Sequence, residues 1–197
     1  MREARILVPV LLLSLAPVAV RAQQSAADQI AAAVLAAPVD RREGAAVLGY
    51  DAAGKLTSLR KGSNDMICLA DNPAEEGFET ACYHVSLEPF MARGRALSAA
   101  GVTGQERSAT RLREIDAGTL EMPDKPAMLY ILTGESFDAA AGTVAGEYRR
   151  SVMYVPYATA ESTGLSPNAS TTDPWIMFPG TAGAHIMITP PRKKSGG

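Results

Sequence analysis

Hydrophobic and polar positions alternate with a period of two in several short segments of this chain, which predicts a β-rich fold. Residues 45–51 and 55–60 predict a hairpin around a turn at 51–54. Further strands are predicted at residues 65–70, 80–85, 127–133, 143–156, 175–178 and 184–189. Residues 127–133 are apolar on both faces, which is typical of a central strand.

A period near 3.6 predicts a first helix over residues 25–37. Ser25 with Asp28 resembles a capping box at its start, and Pro38 ends it. The apolar stripe of this helix is thin, so we expect it to pack loosely.

Two more helices are predicted between residues 86 and 117. Ser86 is expected to cap one that runs to residue 100, and Thr103 with Glu106 predicts a capping box for the next. The buried stripe of this third helix is predicted to be Ala109, Leu112 and Ile115.

Together these elements predict one α+β domain over residues 23–189, a mostly antiparallel sheet with two or three helices packed on it. No repeat or linker divides the chain. Residues 190–197 are short and basic, which predicts a disordered tail.

Residues 1–22 are typical of a cleavable signal peptide. The charged start at residues 1–5 precedes an apolar stretch over residues 6–20, shorter than the roughly 20 residues that a membrane span needs. Val20-Arg21-Ala22 suits a signal peptidase. The alternative is an uncleaved N-terminal anchor. We therefore predict a periplasmic or secreted protein with no membrane span in its mature part.

The charge balance argues against a general nucleic-acid binder. The chain holds 19 basic and 21 acidic residues, with a net charge of −2, and it lacks the basic excess that such binders show. The sequence does not identify a partner.

The cysteines, Cys68 and Cys82, enclose a loop rich in turn-forming and acidic residues. An exported protein keeps disulfides, so a bond between the two is predicted. A copper or zinc site is an alternative, because Met66 and His84 lie two residues from the cysteines and would share a strand face with them. A free redox pair of thiols is a third possibility.

Short motifs run along most of the predicted mature chain in a recognisable order. They are LRKGSN at 59–64, CLAD at 68–71, EPFM at 88–91, PWIMFPGT at 174–181 and AHIMI at 184–188. This order resembles a group of exported bacterial proteins of unknown function. The resemblance implies a bacterial origin, export, and a common plan that includes the cysteine pair and the C-terminal hairpin, but no activity. Asp65-Met66 departs from it, because Gly-Trp is expected there.

Candidate chemistry centres on His84 and His185, the two histidines of the chain. Either one, with a carboxylate such as Glu88 or Asp173, suits zinc binding or proton transfer. Structural roles compete, because a lone histidine is more often a hydrogen-bonded structural group.

A second candidate is a cluster of arginines on the two middle helices, suited to holding an anion. Its members are Arg93, Arg95, Arg107, Arg111 and Arg113. The competing interpretation is a solvated face balanced by nearby acidic residues.

The C-terminal hairpin is predicted to turn at Pro179-Gly180, a pair that suits a type II turn. Ile186 and Ile188 share one strand face and are expected in the core, whereas His185 and Met187 share the other. Trp175 and His185 are then predicted at the rim of a pocket.

No catalytic motif and no cofactor-binding motif occurs in the chain. We therefore expect a small binding or structural protein without catalysis, with no cofactor and no metal. The alternative is a metal-dependent or hydrolytic enzyme that uses His185 with His84 or a carboxylate.

We expect the exported protein to begin at Gln23, because signal peptidase is predicted to cleave after Ala22. N-terminal sequencing of protein recovered from the periplasm or medium of an expressing bacterium checks this. A chain in that fraction that still begins at Met1 would contradict the prediction.

Overall fold

Residues 24–192 are described by a computed structural model, and within them lie four α-helices and ten strands. The helices are α1 (Ala26–Ala33), α2 (Glu88–Ala99), α3 (Gly104–Asp116) and α4 (Ala160–Thr163). The strands are β1 (Ala46–Tyr50), β2 (Leu56–Arg60), β3 (Met66–Leu69), β4 (Phe78–His84), β5 (Ala127–Gly134), β6 (Ser136–Asp138), β7 (Thr143–Ala145), β8 (Tyr148–Tyr154), β9 (Trp175–Met177) and β10 (His185–Ile188). The predicted signal peptide and residues 193–197 of the predicted tail lie outside the described residues.

One eight-stranded sheet carries the fold, in the order β2-β1-β3-β4-β5-β8-β10-β9. Its pairs are antiparallel except β1 with β3, which is parallel. The predicted mostly antiparallel sheet in one domain is confirmed, with β5 in a central position as expected, and an α+β class agrees with it. Four α-helices are described instead of two or three, because the four-residue helix α4 forms between β8 and β9, where the sequence predicted no helix.

Side chains of a strand alternate between its two faces, and each face of this sheet has its own core. On the α1 face, α1 and the 3-10 turn Val34–Ala36 cover Cys68, Cys82 and Leu132. On the α2 face, Phe90 packs with Val152 and other apolar residues. The fold therefore has three layers over part of the sheet.

Helix α1 packs closely on the sheet, so the prediction of loose packing was wrong. Ala32 and Ala33 are both 0% exposed. Their small side chains let the helix backbone approach the strands, which a count of large apolar residues overlooks. The predicted cap is confirmed, since the Ser25 hydroxyl accepts a hydrogen bond from the Asp28 amide at 3.1 Å.

Helix α2 begins at Glu88, and Leu87 is its N-cap, so the prediction of Ser86 at this position was wrong. The Ser86 hydroxyl lies 2.7 Å from Nδ1 of His84, and the Ser86 amide donates to the same nitrogen at 3.2 Å. These contacts occupy the hydroxyl and close a 3-10 turn between β4 and α2.

Helix α3 also lacks its predicted capping box. The Thr103 side chain makes no capping hydrogen bond, and the Glu106 carboxylate accepts one from Arg113 instead, at 2.7 Å. The stripe predicted to be buried on this helix comprises Ala109, Leu112 and Ile115. It is only half-buried, because α3 packs on α2 and borders a cavity.

The long strand predicted over residues 143–156 is two strands, and this prediction was wrong. Gly146 adopts a φ of 61°, in the left-handed region, between β7 and β8. β7 leaves the main sheet there, pairs with β6, and places Val144 in the core of the α1 face.

The C-terminal hairpin is confirmed. β9 and β10 pair antiparallel, and between them the Thr181 amide donates to the Phe178 carbonyl at 3.3 Å. Gly180 has a φ of 77°, as a type II turn requires at that position.

The orientation predicted for this hairpin was wrong. His185 is 8% exposed, whereas Ile186 and Ile188 are only half-buried. Met187 packs in the α2-face core together with Val152. At this end of the sheet α2 and α3 cover the α2 face, which buries His185. On the opposite face Ile176, the partner of Ile186 on β9, is 0% exposed, so Ile176 and not Ile186 or Ile188 is the buried isoleucine of the hairpin.

No helix within residues 24–192 is long and apolar enough to cross a membrane. The first residues of the predicted tail make contacts with β8. The Tyr148 hydroxyl donates to the Pro190 carbonyl at 2.8 Å, and the Arg192 guanidinium lies 4.2 Å from the centre of the Tyr148 ring.

A disulfide joins Cys68 and Cys82, which lie directly opposite each other on β3 and β4. Both residues are 0% exposed. The predicted bond is confirmed, and it removes the metal-site and free-thiol alternatives, because each sulfur is bonded to the other.

Replacing both cysteines by alanine (Cys68→Ala with Cys82→Ala) is expected to lower the free energy of unfolding by about 3 kcal/mol. The bond closes a loop with a sequence separation of 14 and so restricts the unfolded chain. Chemical denaturation of variant and wild type measures the loss, and wild type in reductant is the control. Equal denaturation midpoints would contradict the prediction.

Candidate functional site

A cavity of about 210 Å³ lies between α2, α3 and the end of the sheet formed by β8, β10 and β9. Its walls are made by Phe90, Ser108, Arg111, Leu112, Tyr154, Met177, Phe178, Gly183 and His185. Rings and apolar side chains predominate, and none of these residues is acidic. Such concave, mostly apolar recesses with a few convergent polar groups are typical of ligand sites.

The sheet side of the cavity follows from strand register. His185 lies opposite Tyr154 on β8 and opposite Met177 on β9. Directly opposite residues of antiparallel strands project from the same face. The three side chains therefore form a row beneath α2 and α3.

The helical side follows from the 3.6-residue period. Ser108, Arg111 and Leu112 stand three and four positions apart on α3, so they share one face of that helix. On α2, Phe90 and Gly94 are likewise four positions apart.

Arg111 is held in the cavity wall by a stacking contact. Its guanidinium carbon lies 3.8 Å from the centre of the Phe90 ring, within the range of a cation–π interaction. Gly94 leaves space for it, because a Cβ at that position would lie 2.9 Å from Nη1 of Arg111. The absence of a side chain at Gly94 therefore sets where the charge sits.

Few of the Arg111 donors are satisfied among the described residues. Nη1 makes one long hydrogen bond to the Phe90 carbonyl at 3.4 Å, and the buried Nε has no partner. Burial lowers the pKa of Arg111 from its ordinary value. A guanidinium remains charged in proteins, so the cavity presents a cation with unused donors.

The two arginines of this cluster that lie on α2 are engaged elsewhere. Arg93 is paired with Glu114 through hydrogen bonds of 2.7 and 2.5 Å. Arg95 donates to Glu88 at 2.6 Å and to the Tyr83 hydroxyl at 2.8 Å. Neither arginine lines the cavity. Glu88 thus belongs to a structural network, and within the cluster it is Arg111 that meets the cavity.

Tyr154 supplies a hydroxyl group to the same space. Its ring packs edge-on against the Phe90 ring, with centres 5.6 Å apart. The His185 ring lies on it at a tilt of 37°, with centres 5.0 Å apart. Burial raises the pKa of Tyr154 despite the opposing effect of Arg111, so the phenol stays protonated at neutral pH and retains its proton to donate.

His185 is neutral in this setting. Burial lowers its pKa, the positive charge of Arg111 acts in the same direction, and a hydrogen bond to the Gly183 carbonyl opposes both. Nδ1 lies 2.7 Å from that carbonyl oxygen, which can only accept, so Nδ1 carries the proton. Nε2 then keeps a lone pair, and the ring is an acceptor.

Phe178 forms part of the cavity mouth. It is 44% exposed, and its ring meets His185 edge-on at 5.8 Å. Its φ of 55° is unusual for a residue with a side chain. The Gly180 amide donates to the Ala158 carbonyl at 2.7 Å, which ties this turn to the segment after β8.

His84 and His185 do not share a cleft. His84 projects from the α1 face and His185 from the α2 face, and β5 and β8 lie between their strands. His84 contacts Ser86 and lies 3.4 Å from Asp65, which also pairs with Arg41. These contacts fix the corner between β3, β4 and α2.

Trp175 is placed near the cavity without lining it. It lies opposite Met187, two residue pairs further along the hairpin than His185. Asp173, the other carboxylate considered for a site, contacts Ser170 and Thr172 in its own loop. No group of three or more metal-ligating side chains occurs within residues 24–192.

The sequence did not single out Tyr154, Ser108 or Phe178 as site residues, and it did not separate Arg111 from its neighbours. Spacing along α3 could not have separated it, because Glu114 stands three positions after Arg111, where a helical ion pair is possible.

Comparison with known proteins gives no relative for this chain. A scan of protein-family models, a search of curated proteins and a search of solved structures all returned no match. The chemistry of the cavity therefore has to be inferred from its own lining residues.

The pH dependence of stability should reveal the neutral state of His185. The pKa of His185 is lowered from 6.5 in the folded protein. The contribution of this residue to the free energy of unfolding is therefore complete above pH 6.5 and is lost as pH falls below that value. The difference in unfolding free energy between wild type and His185→Gln should shrink as pH decreases, by at most about 1.4 kcal/mol per pH unit. Denaturation curves from pH 8 to pH 5 test this, and a constant difference would contradict it.

Proposed function

We propose that this chain is a small exported protein that binds a small organic anion in the cavity, without catalysis. The observation that carries the proposal is the Arg111 guanidinium, which lines an apolar cavity with no carboxylate beside it and with a buried Nε that lacks a partner among the described residues.

The energetic reason is the cost of removing charge from water. A partly buried cation is favourable only when it is paired or hydrogen-bonded. Arg93 and Arg95, on the neighbouring helix, have glutamate partners within the chain. A ligand carboxylate would provide the same two-oxygen partner to Arg111, as guanidinium groups prefer.

The surrounding groups favour binding over reaction. The cavity lining contains no carboxylate that orients His185, whose Nδ1 donates to a main-chain carbonyl. Ser108 makes only a 3.4 Å contact with the Gly104 carbonyl, and no base contacts its hydroxyl among the described residues. The alternative enzyme built on His185 with His84 loses support, because the two rings lie on opposite faces of the sheet.

Export is part of the proposal and is supported by two features. Residues 1–22 are typical of a signal peptide, and the buried disulfide is of a kind that persists in oxidising compartments. The resemblance to exported bacterial proteins of unknown function belongs to the same proposal.

Arg111→Gln is expected to weaken the binding of small carboxylates, from acetate to benzoate, by about tenfold to a hundredfold. Isothermal titration calorimetry of the purified chain measures this. Arg113→Gln is the matched control, since it removes the same charge from the same helix, but its partner is Glu106 and the pair is exposed.

Gly94→Ala separates binding from stability. Alanine is a better helix former than glycine by about 1 kcal/mol, so the variant should unfold at an equal or higher denaturant concentration. Its new methyl group would lie against Nη1 of Arg111 and displace it, so carboxylate affinity should fall. Equal carboxylate affinity in Arg111→Gln and Arg113→Gln, or no binding by wild type, would overturn the proposal.

A further inference from the structure

We infer that the anion bound in this cavity is a monocyclic aromatic carboxylic acid, with its carboxylate on Arg111 and its ring against the aromatic wall. The inference rests on the proposed function and specifies its ligand class.

The size of the cavity sets the first limit. Its volume is about 210 Å³. A buried apolar cavity of about 150 Å³ accommodates benzene, and drug-sized ligands occupy roughly 300–1,000 Å³. One six-membered ring with a short acidic substituent therefore fits the available space.

The walls favour a flat, aromatic body. Four lining residues carry rings, and they contact one another in series from Phe90 through Tyr154 and His185 to Phe178. Ring pairs gain about 0.5–1.5 kcal/mol beyond the area that they bury. Met177 adds a thioether, which also packs favourably against aromatic rings.

The charge distribution limits the ligand to one negative charge. Arg111 is the cation in the lining, and His185 is neutral because burial lowers its pKa. A second negative charge would find no second cation among the lining residues, which makes its burial costly. Inorganic phosphate and aromatic dicarboxylates are therefore poor ligands compared with a monocarboxylate.

The lining also offers polar groups besides Arg111. Ser108 lies on the same helix face as Arg111, and Tyr154 contributes a phenol from β8. Met177 and Phe178, on the hairpin, add apolar surface. A ligand with one acidic group and an apolar ring therefore meets both kinds of lining.

Calorimetric titration with a set of matched probes tests the ligand class. Benzoate and phenylacetate are expected to bind about three- to tenfold more tightly than cyclohexanecarboxylate, which has the same charge and nearly the same size but no π system. Benzamide, the neutral isostere of benzoate, should bind about tenfold to a hundredfold more weakly than benzoate.

Two variants test the aromatic wall directly. Phe178→Leu keeps an apolar side chain but removes one ring, and it should weaken benzoate about two- to tenfold while leaving hexanoate unchanged. Tyr157→Leu is the matched control, because Tyr157 is also an exposed aromatic residue with positive φ on the adjoining segment, yet it does not line the cavity. It should change neither affinity.

The outcomes separate this inference from the function on which it rests. Equal affinities for benzoate, cyclohexanecarboxylate and hexanoate, or tighter binding of inorganic phosphate, would overturn the aromatic class and leave an anion-binding protein. Equal binding of benzamide and benzoate would overturn the anion-binding function itself, as would binding of none of the probes.

Discussion

The register of the antiparallel strands β5, β8 and β10 is the constraint on which the cavity depends. It aligns Ala127, Tyr154 and His185 across three neighbouring strands and directs all three at α2 and α3. A shift of one residue in that pairing would send Tyr154 and His185 to the opposite face. The aromatic floor of the site would then vanish, and the α2-face core would lose the ring contact between Phe90 and Tyr154. The aromatic lining of the cavity and the packing of the α2-face core are thus consequences of one set of main-chain hydrogen bonds.

Above these strands, α3 adds the charge of Arg111, which forms no ion pair with a carboxylate among residues 24–192. Arg93, on α2, reaches across to Glu114 on α3 and joins the two helices. Arg111 points back from α3 to α2 and meets a ring and the bare backbone of Gly94 instead of a carboxylate. Stacking on Phe90 keeps the cation in place at little cost in conformational freedom. The result is a preorganised donor in a space that excludes part of the surrounding water, where electrostatic attraction is stronger than at an open surface.

The disulfide and the cavity are located in different parts of the sheet. The disulfide joins β3 and β4 and is packed beneath α1, whereas the cavity lies beyond β5 on the other face. The cavity mouth is made of turns, including Phe178 with its positive φ. The part of the sheet that the disulfide joins is therefore separate from the part that carries the cavity. The cavity walls are formed by strand ends, helix faces and a turn, and ligand sites commonly occur in such positions.

Local patterns in the sequence were sufficient for most of the strands, the hairpin at Pro179-Gly180, the middle helices and the disulfide, because period, turn residues and compartment are properties of short segments. They were insufficient for the break between β7 and β8 and for the caps of α2 and α3, since Ser86 contacts His84 instead and Thr103 makes no capping hydrogen bond. They were also insufficient to choose between His185 and Ile186 as the buried residue, or to select Arg111 from its cluster. Burial of His185 depends on which face α2 and α3 cover, and the isolation of Arg111 depends on which glutamates its neighbours reach. Both are decided by contacts between segments far apart in the chain, which only the folded structure brings together.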